Sequence, residues 1–143
     1  MTEKGRFLGV DVGSKRTGLA RTDLLNMFAS PVGTFSLAVV FDEIKKQVEE
    51  EGPVRGIVVG WPLTPQGTPT HATELADAFI KKCEADFPDI PVHRMDERYS
   101  SREAGRILAQ SGVPKKKRQQ KGRLDQAAAA WILQQFIDSN PDL

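Results

Sequence analysis

The chain has 143 residues and a formal net charge of +1, from 20 basic and 19 acidic side chains. This length favours one domain over residues 1–143, because domains usually contain about 100–150 residues. The sequence has no apolar stretch long enough for a membrane span or a secretory signal, and its one cysteine excludes an intrachain disulfide. We therefore expect a cytoplasmic protein that does not bind membranes, in which nucleic-acid binding would need a local basic cluster.

The first part of the chain predicts a β-hairpin followed by a third strand. Arg6–Val12 is a short apolar run that closes on an acidic residue, which is typical of a buried strand. Turn residues at Gly13–Arg16 separate it from Thr17–Thr22, which we predict as the second strand. Ser30–Ser36 is predicted as a third strand, although its proline and its glycine weaken that prediction.

An amphipathic helix and a central strand follow. Val40–Glu51 places apolar residues on one face and charges on the other, and Gly52-Pro53 ends this helix. Arg55–Gly60 is a continuous run rich in β-branched residues, which suits a strand covered on both faces. The segment Trp61–Thr70 is rich in proline and threonine and is predicted as a loop at the carboxyl end of that strand.

The second half of the chain alternates helices and strands. An apolar stripe predicts a helix over 72–87, and Pro91–Asp96 predicts another strand. Ser100–Ser111 opens with a capping-box pattern, and about Leu124–Ser139 predicts a last helix whose alanine run allows close packing. The order β-β-β-α-β-α-β-α-α predicts an α/β fold with a mixed five-stranded sheet, an antiparallel meander plus parallel strands, flanked by helices.

Three acidic residues occupy positions that favour a catalytic site. Asp11 closes the first strand, Glu97 follows the strand that ends at Asp96, and Asp125 lies in the first turn of the last helix. Open α/β sheets bind ligands at the carboxyl ends of their strands, so the three carboxylates would meet there. Such a cluster needs cations to offset its repulsion. Oxygen ligands suit Mg²⁺ or Mn²⁺, and a pair of such ions can activate water against a phosphodiester.

Each of these acids also has a purely structural interpretation. Asp11 before Val-Gly suits a turn, and Glu97 beside Arg98 suits a surface ion pair. Asp125 near a helix N-terminus would interact favourably with the helix dipole, by about 0.3–1 kcal/mol, with no function at all. Taken singly, the three positions leave both interpretations open.

The segment Pro114–Arg123 concentrates positive charge without an acidic residue. One interpretation is a solvated loop that keeps the protein soluble. The other is an arm that follows a nucleic-acid backbone, because each cation near a phosphate releases a counterion. The basic residues of this segment are Lys115, Lys116, Lys117, Arg118, Lys121 and Arg123.

Four sequence blocks together resemble a known family. The blocks are LGVDVGSKRTGLA (Leu8–Ala20), GWPLTPQG (Gly60–Gly67), DERYSS (Asp96–Ser101) and KGRLDQAAA (Lys121–Ala129). In this order they resemble the bacterial YqgF family, also called RuvX, over nearly the whole chain. The resemblance implies an RNase H-like fold, shared with the Holliday junction resolvase RuvC. It also implies a nuclease that processes the 5′ end of the 16S ribosomal RNA precursor.

The same resemblance implies that Asp11, Glu97 and Asp125 are the catalytic acids. Asp96 and Glu97 are neighbours, and because alternation along a strand sends neighbours to opposite faces, we expect Glu97 to point into the site. Trp61 departs from the family, which usually has a smaller apolar residue at that position.

Several other residues have either two interpretations or no expected chemical role. Lys15 and Arg16 would contact phosphate or only solvate the hairpin, and Arg98 would pair with an acid of the site or contact RNA. We expect no metal or catalytic role for three side chains, because the histidines lack ligand spacing and the cysteine lies on an apolar helical stripe. These side chains are His71, His93 and Cys83.

The sequence thus predicts a metal-dependent nuclease that acts on structured RNA as a monomer or weak homodimer. A Holliday junction resolvase acting on branched DNA is the first alternative, and it would need two active sites in a stable symmetric dimer. A non-catalytic nucleic-acid-binding factor is the second. An actin-like ATPase or sugar kinase, which the D-x-G-S pattern after a strand would suit, needs two such domains, and this chain has room for one.

Overall fold

The computed structural model describes residues 5–64, 66–96 and 121–140, with the side chains of the last helix described from residue 126 onward. The strands are β1 (Arg6–Val12), β2 (Thr17–Thr22), β3 (Ala29–Phe35), β4 (Val54–Trp61) and β5 (Val92–Asp96). The helices are α1 (Leu37–Glu50), α2 (His71–Asp86) and α3 (Lys121–Asp138). Within these ranges, no helix has both the length and the apolar character needed to cross a membrane.

The five strands form one sheet in the order β3-β2-β1-β4-β5, which confirms the predicted mixed sheet. β1 pairs antiparallel with β2, and β2 pairs antiparallel with β3, so the first three strands form a meander. β4 pairs parallel with both β1 and β5. β1 is therefore the central strand, and the carboxyl ends of β1, β4 and β5 lie at one edge of the sheet, here called the carboxyl edge.

Helices cover both faces of the sheet. α1 and α2 pack on one face, against side chains that include Leu8 and Val10 of β1. α3 packs on the other face, against Phe7, Ala20 and Val58. Successive residues of a strand point to opposite faces, so β1 contributes to both cores at once. Each fully buried side chain of this size contributes about 1.5–3 kcal/mol to folding, so both faces need a helical cover.

α3 lies unusually close to β1 because small residues line the contact. A Cβ atom at Gly9 would lie 2.7 Å from Leu133 Cβ and 2.9 Å from the Ala129 carbonyl oxygen. The alanine run Ala127–Ala130 is buried and adds little bulk at this contact. The close packing predicted for the alanine run is therefore confirmed, and the glycine on the facing strand makes it possible.

The start of α3 differs from the sequence prediction. α3 begins at Lys121 rather than near Leu124, so the prediction that Asp125 lies in the first turn of the helix is wrong, and this residue lies in the second turn. The last residues of the basic segment Pro114–Arg123 are therefore helical. The solvated-loop interpretation had placed them in a loop. Lysine and arginine have good helix propensity, so a basic composition is no obstacle to a helix start.

Two other boundaries differ for local reasons. α1 begins at Leu37 instead of Val40, and its first residues interrupt the amphipathic pattern because the side chains of Leu37 and Val39 are exposed. Trp61 is the last residue of β4 and not the first of the following loop. The predicted helix Ser100–Ser111 lies outside the described residues.

Candidate functional site

The carboxyl edge holds the first of the predicted acids. Asp11 is the penultimate residue of β1, opposite Gly18 of β2, and its side chain is half-buried. In the neighbouring strands, Trp61 of β4 pairs with Asp96 of β5, so these residues end their strands at the same edge. The central position of β1 thus puts one carboxylate where ligands of open α/β sheets bind.

Strand alternation puts Asp11 on the face covered by α3. Phe7 packs against Phe136 of α3, with ring centroids 5.5 Å apart, and Gly9 abuts Leu133 and Ala129. Asp11 is the next residue of β1 on that face. Because successive contacts along β1 move toward the amino end of α3, the two elements run antiparallel, and the first turn of α3 is directed toward the carboxyl edge.

Asp125 lies one helical turn before Ala129 on the stripe of α3 that faces β1. The backbone of α3 therefore brings the turn that carries Asp125 toward the end of β1 that carries Asp11. The side chain of Asp125 is not among the described side chains. Glu97, the third predicted acid, lies outside the described residues, as does Arg98.

The residues of β5 also alternate between the two faces of the sheet near the carboxyl edge. His93 contacts the rings of Phe7 and Phe136, and Met95 packs into the same core on the α3 face. Asp96, which ends the strand, is exposed. The α3 face of β5 therefore carries residues 93 and 95, and Asp96 belongs to the opposite set.

A tight turn holds two of the predicted phosphate-contacting residues at the carboxyl edge. Lys15 and Arg16 are exposed in the turn between β1 and β2. Gly13 faces the carbonyl oxygen of Arg16 so closely that a Cβ atom would collide with it, which explains the glycine at that position. The turn thus presents two cations next to Asp11.

The structure describes only some of the remaining basic residues that we predict to contact phosphate. Lys121 and Arg123 are in the first turn of α3, whose backbone is directed toward the carboxyl edge, but their side chains are not described. The other members of the basic segment lie outside the described residues. These are Lys115, Lys116, Lys117 and Arg118.

Sequence reasoning missed a polar network beside β4. The indole N–H of Trp61 donates to Asp77 Oδ1 of α2 at 2.9 Å, and Arg94 Nε of β5 lies 3.4 Å from the same oxygen. The network fixes the Trp61 side chain on the α2 side of the carboxyl edge. No local pattern indicates this contact, because its partners are 16 and 17 residues apart on different elements.

In the loop that follows Trp61, the described residues 62–64 and 66–70 are linked by backbone and side-chain hydrogen bonds. Leu63 and Pro69 form an isolated β-bridge, and Gly67, with φ of 85°, donates its N–H to the Thr64 carbonyl. Thr70 caps α2 by accepting from the backbone of Thr73 in a capping box.

The side chains without an expected chemical role have defined surroundings. Cys83 is buried among apolar side chains of α2, as predicted, and burial raises the pKa of its thiol to about 12. Burial also lowers the pKa of His93, whereas His71 is exposed and lies 3.5 Å from Glu74.

The described side chains alone do not form a metal site. Within residues 5–64, 66–96 and 126–140, no three His, Cys, Asp or Glu side chains come close enough to hold a metal ion. A three-carboxylate site at the carboxyl edge therefore depends on Glu97 and Asp125, whose side chains lie outside those ranges.

Comparison with solved structures defines the class of fold. The chain is similar to T. thermophilus RuvC, solved in complex with a Holliday junction substrate, with a TM-score of 0.59 and 10% sequence identity. The alignment covers 96% of this chain and 96% of that chain. The mixed five-stranded sheet with helices on both faces is thus an RNase H-like fold, as expected.

Sequence comparison then gives the family. Residues 5–139 match the RuvX family, described as Holliday junction resolvase, so the chain belongs to that family. A relative from Chlorobium phaeobacteroides is 48% identical over 94% of this chain and 92% of its own length. Relatives from Chlorobium luteolum and Salinibacter ruber are 46% and 41% identical, over 98% and 96% of this chain and 99% and 96% of their own. All three carry the name "Putative pre-16S rRNA nuclease".

Proposed function

We propose that this protein is a divalent-metal-dependent nuclease, a single domain over residues 1–143, that processes the 5′ end of the 16S ribosomal RNA precursor. The names of its relatives support the substrate. One structural observation carries the proposal for the site. Asp11 lies on the α3 face at the carboxyl edge, and the contacts of Gly9 with Ala129 and Leu133 direct the turn that carries Asp125 toward it. The proposed substrate also implies a cytoplasmic location.

We assign the catalytic role to Asp11, Glu97 and Asp125 together. His93 and Met95 belong to the α3 face of β5. Alternation continued for two more residues would give Glu97 that same face, and Asp96 the opposite one. This parity supports Glu97 as the acid that joins Asp11.

The donor set fits Mg²⁺ or Mn²⁺. Asp11, Glu97 and Asp125 offer only carboxylate oxygens, the ligands that hard divalent cations prefer. A bound divalent ion supplies activation of water and stabilisation of the leaving oxygen of a phosphodiester. The carboxylates hold the ion, and because three like charges repel each other, the site is stable only when that charge is neutralised.

The basic residues would hold the substrate backbone. Lys15 and Arg16 are fixed at the carboxyl edge by the tight turn at Gly13. We propose that they act with Arg98 and the basic segment, giving affinity for phosphates but little sequence preference. The proposed phosphate contacts in that segment are Lys115, Lys116, Lys117, Arg118, Lys121 and Arg123.

A Holliday junction is the second candidate substrate. The family description and the fold shared with RuvC favour it. Cutting two strands of a junction requires two active sites facing each other in a stable symmetric dimer. We propose a monomer or weak homodimer instead, and the mass of the protein in solution separates the two candidates.

The decisive experiment offers both substrates to the purified protein. A 16S precursor fragment with its natural 5′ extension and a four-way DNA junction are incubated with and without Mn²⁺, and product ends are mapped. We expect metal-dependent cleavage of the RNA fragment that is lost in Asp11→Asn and retained in Asp96→Asn. Cleavage of the junction alone would favour the resolvase. Tight binding without cleavage by the wild type would favour a non-catalytic factor.

A further inference from the structure

The loop between β2 and β3 exposes a contiguous apolar surface. Of the large hydrophobic side chains exposed in the described part of the chain, four lie in the six residues Asp23–Phe28, here called the apolar loop. Leu25 and Phe28 are each 66% exposed, Met27 is 58% exposed and Leu24 is 40% exposed. Single exposed apolar residues are ordinary, but a contiguous group is typical of a binding surface.

The apolar loop is held in one conformation by a carboxylate. Asp23 accepts hydrogen bonds from three backbone N–H groups, those of Leu25 at 2.8 Å, Phe28 at 3.0 Å and Met27 at 3.3 Å. Partial burial would raise the pKa of Asp23, but these bonds lower it overall. The loop therefore satisfies its backbone locally and leaves its apolar side chains outside.

Two amides tie the apolar loop to the rest of the molecule. Asn26 adopts a left-handed conformation with φ of 56°, and its buried side chain accepts from the Thr22 hydroxyl and donates to the Gly5 carbonyl. Gln134 of α3 accepts from the N–H of Ala29 at 2.9 Å and donates to the carbonyl of Met27 at 3.4 Å. A loop fixed in this way loses little conformational entropy when it binds.

The apolar loop lies at the edge of the sheet opposite Asp11. β2 runs antiparallel to β1, with Thr17 opposite Val12 and Arg21 opposite Leu8, so the end of β2 lies beside the start of β1. The length of β1 separates the two edges, which is about 23 Å for seven residues. The apolar loop is therefore too far from Asp11 to contact a substrate bond that is bound at Asp11.

Carboxylates surround the apolar loop. Asp23 is part of it, and Asp138 accepts a hydrogen bond at 3.1 Å from the same Gln134 amide that contacts Met27. Glu51 lies beside the two arginines that line the adjoining cavity of about 390 Å³. Among the described residues, these three carboxylates outnumber the two arginines of the cavity by one, so the rim favours a basic partner over a nucleic-acid backbone or the identical rim of a second copy.

The two arginines of that cavity do not reverse this charge. Arg6 donates Nε to the Glu51 carbonyl at 2.7 Å and NH1 to the Thr22 carbonyl at 3.1 Å. Arg21 donates NH1 to Gln47 Oε1 at 3.0 Å and lies 3.7 Å from the Glu51 carboxylate. These bonds use two donor groups of Arg6 and one of Arg21, and the Glu51 carboxylate offsets the charge of Arg21.

We propose that the apolar loop is a protein-docking surface, which seats in an apolar pocket rimmed by lysine and arginine on one of the basic proteins bound to the RNA precursor. The choice of partner rests on the proposed function, because an RNA precursor carries basic proteins that neutralise its phosphates. The docked protein would position the nuclease through one edge of its sheet and leave the carboxyl edge open to the RNA.

The test compares a protein-containing precursor particle with the same RNA stripped of protein. Binding of the full chain to each is measured by co-sedimentation in EDTA, so that no cleavage occurs. We expect Leu25→Ser combined with Phe28→Ser to weaken binding to the particle at least about tenfold, with no change for stripped RNA. The matched control combines Leu37→Ser with Val39→Ser, which removes two exposed apolar side chains of α1 and is expected to bind like the wild type.

A second variant leaves the side chains of the apolar loop unchanged. Asp138→Lys places a positive charge on the rim, and a lysine at the C-terminus of α3 is compatible with the helix dipole. It should weaken binding to the particle but not to stripped RNA, because it opposes a basic partner.

Three outcomes would overturn the proposal. The first is that the variant with Leu25→Ser and Phe28→Ser binds the particle as tightly as the wild type. The second is that this variant loses the same affinity for stripped RNA. The third is that the wild type is a dimer and the variant a monomer. The proposed function fails separately, through absence of cleavage by the wild type in Mn²⁺, whatever the particle assay gives.

Discussion

β2 connects two turns of opposite chemistry. The turn before it, residues 13–16, is polar and presents Lys15 and Arg16 beside Asp11. The apolar loop after it presents four hydrophobic side chains at the other edge of the sheet. Both are fixed by local contacts, the first by the close approach of Gly13 to the Arg16 carbonyl and the second by the Asp23 carboxylate. Local contacts hold the backbone at both ends, so the exposed side chains decide which partner each end can bind.

α3 links the two ends. The second turn of α3, which carries Asp125, is directed toward the carboxyl edge, while Gln134 near the other end of the helix binds the backbone of the apolar loop. Eighteen residues of helix are about 27 Å long, which matches the length of β1. A change in the packing of α3 against β1 should therefore affect both ends of the molecule, whereas a change within either turn should affect only the end that carries it.

Removing the charge of one proposed ligand should give the largest effect. Asp11→Asn, Glu97→Gln and Asp125→Asn should each lower the cleavage rate by more than about 100-fold, since even outer-shell partners of metal ligands cost about 10–100-fold. Binding to the particle should persist, because the apolar loop is untouched. Single-turnover cleavage measures the loss, and Asp96→Asn is the control.

The same variants test whether the acids bind a metal. Adding Mn²⁺ should raise the melting temperature of the wild type, because a ligand that binds only the folded state stabilises it. The amide variants should gain less, and without metal they should melt no lower than the wild type, since crowded like charges repel. Normal cleavage by all three, or the same thermal shift in all proteins, would contradict the assignment.

Neutralising the basic segment should weaken RNA binding and leave docking through the apolar loop unchanged. Replacing Lys115, Lys116 and Lys117 by alanine should reduce the log–log salt dependence of RNA binding by at most about three, and nearer about two for a single strand. A control that replaces the exposed lysines Lys45, Lys46 and Lys81 of α1 and α2 should leave the slope unchanged. An unchanged slope in the first variant would mean that the segment only confers solubility.

A methyl group between β1 and α3 should disturb both ends together. Gly9→Ala forces α3 away from the sheet, and overpacking of this kind typically lowers the free energy of unfolding by about 1–3 kcal/mol. Gly33→Ala is the matched control, because a Cβ there meets the movable ring of Phe35 at 3.0 Å on the outer strand β3. Urea unfolding checks the difference, and equal losses in the two variants would contradict a special contact at Gly9.

The smallest expected effect is a pH dependence of stability. Burial lowers the pKa of His93 below its ordinary value, so the unfolded chain binds a proton more readily than the folded protein. Stability should therefore be full above about pH 6.5 and fall as the pH decreases below it. His93→Gln should flatten this part of the curve, measured by thermal unfolding between pH 5 and 8, while His71→Gln should not. Partial solvation keeps the change small.

Local sequence patterns were sufficient to predict the five strands, three of the four helices and their order, whereas the predicted helix Ser100–Ser111 lies outside the described residues. Apolar runs fixed β1 and β4, the apolar stripe fixed α2, and the alternating order indicated a mixed sheet, all of which the structure has. These features depend on residues within one or two turns of one another, which is why periodicity detects them. Four sequence blocks in the same order as in the family also sufficed to indicate the family that residues 5–139 match.

Which parts of the surface lie together follows from contacts between segments that are far apart in the chain. The tertiary structure showed that Asp11 shares a face with α3, because the contact of Gly9 with Leu133 joins residues far apart in the chain. It also showed that Leu25 and Phe28 are exposed, where hydrophobicity alone predicts burial. The bonds that hold their loop reach Gln134, 105 residues away from Ala29, and no local pattern encodes a contact over that distance. Such contacts form only when the packed sheet and helices bring distant segments together.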